Sequence, residues 1–208
     1  MPTLDWERRL WQAGAYHYVA GLDEAGRGAL AGPVVAAAVI LPPNRPELEE
    51  LLLDVDDSKL VGAKRRQELV EVIEKTAVST GIGFVEAVTI DKIGIVPATR
   101  QAMRLALAQL TPPPDHLLID GRIYLATIPI PQQAIIRGDQ ASYSIAAASI
   151  LAKVSRDQRL IELDRQFPHY GFARHKGYGT VQHRQALTDW GPCPEHRYSF
   201  APLRTSLL

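Results

Sequence analysis

The chain has 208 residues, 46% hydrophobic and 22% charged, an ordinary globular composition that excludes a disordered or fibrous protein. Its 23 Lys and Arg balance 23 Asp and Glu, so the strongly basic coat of an architectural nucleic-acid binder is absent, although a local basic groove remains open. A lone cysteine, Cys193, excludes a disulfide framework within the chain.

Leu4 to Ala15 reads as a short amphipathic helix with Leu4, Trp11 and Ala15 on one side. Tyr16 to Leu22 is an extended apolar approach to Asp23-Glu24, and Val34 to Leu41 is a strand that Pro42-Pro43 cannot continue. The glycine-rich link from Ala25 to Pro33 predicts a hairpin-like connection between them. Residues 44 to 57 are acidic and irregular. A helix is expected over Ala63 to Thr76, where Leu69, Val72, Ile73 and Thr76 share a face, followed by a strand over Gly81 to Thr89. A third helix runs from about Val96 to about Leu110, with Pro97 tolerated in its first turn and the prolines from 112 to 114 stopping it.

His116 to Asp120 and Gln133 to Arg137 are short strands, the first ending in Asp-Gly and the second leading into Gly138-Asp139. A long helix spans about Ser142 to Arg165, with Asp139 or Ser142 near its N-terminus to accept from free backbone donors. Beyond Pro168 the chain is glycine-rich and polar up to Thr180, then helical over Val181 to Trp190, with an irregular tail from Gly191. There is no internal repeat and no low-complexity linker. The pattern predicts a single α/β core with an appended helical C-terminal region.

No basic start followed by an apolar run marks a signal peptide, and the longest apolar tracts, Pro33 to Leu41 and Ile145 to Ala152, are too short for a span of about 20 residues. The expectation is a cytoplasmic protein without membrane association. Residues 1–114 carry 12 basic and 15 acidic side chains, whereas residues 115–208 carry 11 and 8 together with five of the six histidines. A polyanion would therefore meet the C-terminal part more readily.

Carboxylates recur where apolar runs end: Asp23-Glu24, Asp120 and Asp139. Isolated charge so close to a core is costly, and clustered carboxylates raise one another's proton affinity. Mg²⁺ or Mn²⁺, which prefer oxygen ligands, would resolve both problems, and two such ions support phosphoryl displacement. The plainer reading, in which each Asp caps a turn or a helix start, stays open for each residue alone.

Gly26-Arg27-Gly28 either permits a turn or offers backbone donors to a sugar hydroxyl or a phosphate. It is not a dinucleotide fingerprint, since a strand follows it and the third glycine is missing. Lys59, Lys153 and Arg156 are candidate phosphate contacts, whereas Lys64, Arg65 and Arg66 fit a solvated helix face. The stretch from His169 to Gly179 mixes aromatics with bases, so it either stacks on a nucleotide or packs on itself. Cys193 and His196 lack the second thiolate of a zinc site, and His175 and His183 lack the spacing for one.

Taken together, Ala20-Gly-Leu-Asp-Glu-Ala-Gly-Arg-Gly28, Asp57-Ser-Lys59, Leu118-Ile-Asp-Gly121, Arg137-Gly-Asp139, the run from Ser144 to Asp157, Tyr170-Gly-Phe172, His175-Lys-Gly-Tyr178 and His196-Arg-Tyr-Ser-Phe200 resemble ribonuclease HII, the type 2 ribonuclease H family, from about Val19 to Pro202. The resemblance implies a ribonuclease H-like core, a five-stranded mixed sheet flanked by helices. It implies one catalytic domain over residues 1–208, with about 167–208 as a C-terminal substrate-binding extension. It also implies cleavage of the RNA strand of RNA–DNA hybrids and incision 5′ of single ribonucleotides in duplex DNA, leaving 5′-phosphate and 3′-hydroxyl ends.

Carried over position by position, Asp23, Glu24, Asp120 and Asp139 would be catalytic ligands of Mg²⁺ or Mn²⁺ in a two-metal-ion reaction. Gly26, Arg27 and Gly28 would read the ribose 2′-hydroxyl, and Tyr178 would pack on the deoxyribose beyond the junction. Lys59, Lys153 and Arg156 would lie near substrate phosphates. The implied partners are RNA–DNA hybrid and ribonucleotide-containing duplex DNA, met by a monomer. Leu60, Gly179 and Tyr198 depart from residues common among relatives. Two other readings remain: a metal nuclease or transposase of the same core that cuts plain DNA, and a hybrid-binding protein without catalysis.

Overall fold

The computed structural model describes residues 1–12, 14, 16–55 and 62–206, so Asp57-Ser58-Lys59 and Leu60 lie outside the described residues. The two apolar runs around the glycine-rich link form β1 (Val19–Ala25) and β2 (Val34–Ile40), paired antiparallel with Ala20 opposite Ile40 and Ala25 opposite Val35. β1 does not stop before the acidic pair but carries Asp23 and Glu24 inside the strand. β2 is buried at every position because both of its faces are covered, which explains an unbroken apolar run where a half-exposed strand would alternate.

β3 (Ser79–Val85) pairs antiparallel with β2, whereas β4 (His116–Asp120) and β5 (Gln132–Ile135) extend the other edge in parallel. The order β3-β2-β1-β4-β5 makes a mixed five-stranded sheet. The helices preceding the second half are α1 (Asp5–Gln12), α2 (Leu48–Leu51), α3 (Ala63–Thr76), α4 (Ala87–Ile93) and α5 (Ile95–Leu107). The remaining ones are α6 (Tyr143–Gln166), α7 (Phe172–His175), α8 (Val181–Trp190) and α9 (Leu203–Ser206). None of them, among the described residues, is long and apolar enough to cross a membrane.

Strand alternation divides the core. Ala20, Leu22, Ala36, Ala38 and Ile40 pack with Ala98, Ala102, Met103 and Ala106 of α5 on one face. Ala37 and Val39 pack with Ala146 to Ala148, Ile150 and Leu151 of α6, and with Leu69 and Ile73 of α3, on the other. A third cluster, with Leu160, Leu163, Phe172 and Ala186, holds the C-terminal helices to the end of α6.

Small side chains let α6 lie close on β1. A Cβ built on Gly21 would stand 2.2 Å from the Ser144 backbone carbon and 2.5 Å from the Ile145 nitrogen. Neither backbone atom can yield without lifting the helix, so Gly21→Ala is expected to cost about 3 kcal/mol, read as a lowered urea midpoint with unchanged m-value. At its start α6 is capped twice: Ser142 Oγ accepts from Ile145 N, and the buried Glu7 carboxylate of α1 accepts from Ser144 N at 2.9 Å and from both serine hydroxyls. Burial raises the Glu7 proton affinity against the pull of those hydrogen bonds.

Some expectations are corrected. The strand predicted over Gly81 to Thr89 ends at Val85, because Glu86 already has the extended geometry that starts α4, and Gly94 at φ 84° then separates α4 from α5. The predicted helix to Leu110 ends at Leu107 as Gln109 N and Leu110 N turn back to the third preceding carbonyl. Among the described residues, 44–55 and the tail, both expected to be irregular, contain the short helices α2 and α9, and the glycine-rich segment after Pro168 contains α7. α2 forms around the buried Leu48 and α7 around the buried Phe172, so tertiary burial, not local periodicity, stabilises them.

Candidate active site

The pairing of β1 with β4 sets the first two acidic positions. Their parallel register places Leu22 opposite Ile119, and one step further along both strands Asp23 comes abreast of Asp120. Alternation turns Asp23 to the same face as Gly21, under α6, where the Ser149 side chain hydrogen-bonds its carboxylate. Asp23 is buried, and its Oδ1 accepts from Glu24 N at 2.6 Å. Burial foremost, then the charges of Glu24 and Asp120, push its proton affinity well above that of an ordinary aspartate, against the opposing pull of Ser149 and the Glu24 N–H.

Asp23, Glu24 and Asp120 line one cleft of about 560 Å³ with Ala25, Gly26, Arg27, Arg66, Ser149, Lys153 and Tyr178. Asp120 Oδ1 also accepts from Gly138 N at 2.7 Å, which fastens the single 3₁₀ turn Gly138–Gln140 to the end of β4. Asp139 is buried in that turn, next to the bonded residue but not among those lining the cleft. Among the described residues no three His, Cys, Asp or Glu side chains stand together as a finished metal cage. A larger hollow of about 860 Å³ lies against α7 and α8 beside Trp190, but its one carboxylate, Asp189, pairs with Gln185, so the smaller cleft holds the acidic chemistry.

The basic residues divide by burial. Arg27 is exposed and pairs with Glu24 at 2.9 Å. Lys153, four residues beyond Ser149 on α6, pairs with Asp157 at 2.5 Å, and burial lowers its proton affinity in spite of that partner. Its Nζ lies 5.9 Å from the centre of the Tyr178 ring. Arg156 differs from its expected place beside phosphate: it is fully buried, and its guanidinium donates to Pro33 O, Lys176 O and Ala31 O. Lys59 lies outside the described residues.

Two members of the cleft escape the sequence reading. Arg66 looks like part of a solvated basic run, and only the packing of α3 beside α6 turns it inward, 3.9 Å from Asp157. Ser149 sits in an alanine-rich helical stretch with nothing but its spacing of four from Lys153 to mark it.

The family model for ribonuclease HII matches residues 20–203. A ribonuclease HII of Geobacillus kaustophilus is 53% identical over 202 residues, covering 97% of this chain and 75% of that relative. One from Chloroflexus aurantiacus is 50% identical over 208 residues, covering 100% and 97%. Among solved structures, ribonuclease H2 of Pyrococcus horikoshii superposes with a TM-score of 0.74 at 23% identity over 90% of this chain and 95% of that one, a likeness of fold. The RNase HII of an Archaeoglobus fulgidus complex with PCNA superposes with a TM-score of 0.71 at 27% identity, covering 86% and 91%. With a family match over nearly its whole length and relatives at half identity or better, the chain belongs to the ribonuclease HII family and is a ribonuclease H-type hydrolase.

Proposed function

We propose that the protein is a divalent-metal-dependent endonuclease that cuts the RNA strand of RNA–DNA hybrids and incises 5′ of single ribonucleotides in duplex DNA, leaving 5′-phosphate and 3′-hydroxyl ends. The observation that carries the reading is the convergence of the Asp23-Glu24 pair with Asp120, distant from it in the chain, on one cleft beside the Gly26–Gly28 segment. An all-oxygen donor set in which burial foremost, and then mutual repulsion, raises the Asp23 proton affinity fits a hard cation such as Mg²⁺ or Mn²⁺. Asp23, Glu24 and Asp120 would hold it, with Asp139 joining from the adjacent turn. When bound, such ions supply a water of lowered pKa and neutralise charge on the leaving 3′-oxygen.

The remaining steps belong to the protein. The N–H groups of the Gly26–Gly28 segment donate to the ribose 2′-hydroxyl, the group that separates RNA from DNA, without reading a base. Tyr178 offers a ring face to the neighbouring sugar, and Arg66 and Lys153 supply positive charge to phosphate at the cleft wall. Little base preference follows from this arrangement.

The test is incubation with duplex DNA bearing one ribonucleotide, in Mg²⁺, Mn²⁺ or EDTA. The expected product is a single metal-dependent nick on the 5′ side of the ribonucleotide. Equal cutting of an all-DNA duplex would identify a different nuclease on the same core, and salt-sensitive binding of hybrid without any cleavage would identify a binding protein.

A further inference from the structure

Two guanidiniums with no surface exposure lie beneath the segment that precedes β2. Arg156 donates from Nε to Pro33 O at 2.9 Å, from Nη2 to Ala31 O at 3.0 Å and from Nη1 to Lys176 O at 2.9 Å. Arg197 donates from Nε and Nη2 to Gly32 O at 3.0 and 2.9 Å and from Nη1 to Arg27 O at 3.0 Å. The backbone completes the set: Arg197 N reaches Leu30 O at 2.8 Å, and Ala29 N reaches Gly26 O at 3.3 Å. Six carbonyls between Gly26 and Pro33 are thus engaged from the protein side, and none of these bonds uses the N–H of Gly26, Arg27 or Gly28.

Arg156 also touches both elements that face the substrate. A Cβ built on Gly26, which has φ +92°, would lie 1.9 Å from Arg156 Nε, so the guanidinium packs directly on that glycine. Its carbon lies 5.3 Å from the centre of the Tyr178 ring, and its bond to Lys176 O fixes the residue two before Tyr178. An arginine that cannot meet solvent and whose donors point at carbonyls is poorly placed to grip a phosphate.

We propose that Arg156 is a positioning residue that locks the Gly26–Gly28 donors and Tyr178 into one arrangement, so that the ribose 2′-hydroxyl and the adjoining sugar are read together, with Arg197 as the second brace. This rests on the reading of the 2′-hydroxyl by Gly26–Gly28 given above. Lysine cannot replace the fork, because a single ammonium has neither the planar geometry nor the reach to hold three carbonyls.

The experiment compares the parent with Arg156→Gln and Arg156→Lys on a ribonucleotide-containing duplex and on an all-DNA duplex. Turnover is measured in Mn²⁺ and binding in EDTA over a series of salt concentrations. Mispositioning of the reading groups is expected to lower kcat on the ribonucleotide duplex by about a hundredfold in both variants, with KM changed by less than about threefold. Affinity for the all-DNA duplex, and the slope of log affinity against log salt, stay at the parent values.

A phosphate contact predicts the opposite. Arg156→Gln would then weaken both duplexes alike and flatten the salt slope by about 0.9, and Arg156→Lys, which keeps the charge, would restore parent-like turnover. Should Arg156→Gln not fold, Arg156→Lys decides alone, since parent-like kcat in that variant overturns the proposal. A parent enzyme that cuts both duplexes equally overturns the 2′-hydroxyl reading itself, whereas a selective parent with an unaffected Arg156→Lys overturns only the brace.

Discussion

Asp23→Asn is expected to abolish nicking, with a loss on the order of a thousandfold or more, and at the same time to make the protein more stable. Both effects have one origin. Asp23 is buried and faces the charges of Glu24 and Asp120, so its proton affinity is raised on folding. A carboxyl of that kind favours the fold below its unfolded pKa, and the contribution is lost as pH rises through the folded value. Above that value the ionised side chain opposes folding, and a neutral amide that still accepts from Glu24 N removes the opposition.

A gain of about 1 kcal/mol, or about 2–4 °C in Tm, is the expected size. It should shrink in acid, where the parent's Asp23 is protonated too. Mn²⁺ should raise the Tm of the parent, by up to about 2.7 kcal/mol of added stability at a hundred times Kd, and leave the variant almost unmoved. Near-normal turnover in the variant, or a Tm several degrees below the parent, would remove Asp23 from this role.

Acid is expected to loosen the C-terminal helices before the sheet. His183 and His196 are both buried, with Nε2 atoms 3.0 Å apart, and His175 stacks on His183 at 4.4 Å. His196 Nδ1 meets the Cys193 thiol at 3.1 Å, and Phe172 packs edge-on against His183. Burial foremost holds both His183 and His196 down at about 4. In the unfolded chain the same rings take protons near pH 6.5. The unfolded state therefore binds more protons between these values, and stability falls as pH drops from about 6.5 towards about 4.

The expected loss is about 2 kcal/mol per ring after allowance for solvent screening, with the two neighbours titrating as a pair. Hydrogen exchange should rise first in α7 and α8. His196→Asn should flatten the dependence, and a stability profile unchanged between pH 7 and pH 5 in the parent would refute it. Tyr178 is drawn into the same event, since its carbonyl bonds to His183 Nδ1 at 3.0 Å.

Much of this molecule is legible in one dimension. The bounds of α3, β4 and α8 follow from periodicity and breakers alone, because each element has its own turn signals and a face of ordinary amphipathicity. The acidic positions stand out as well, since charge at the end of an apolar run is locally anomalous. Motif order then identifies the family, because many short matches at the right spacing multiply their individual specificities.

Other features depend on neighbours distant in the chain. Nothing near Asp23 in sequence says that it stands abreast of Asp120; the parallel register of β1 with β4 decides that. Arg66 and Arg156 carry the same formal charge in helical stretches, yet one lines the cleft and the other is enclosed by backbone carbonyls. Charge and helical spacing state which side chains share a helix face. Which face is covered, and by whose polar atoms, is set only when α6 settles on β1 and the loop before β2 closes over Arg156, because burial is a property of the packed chain.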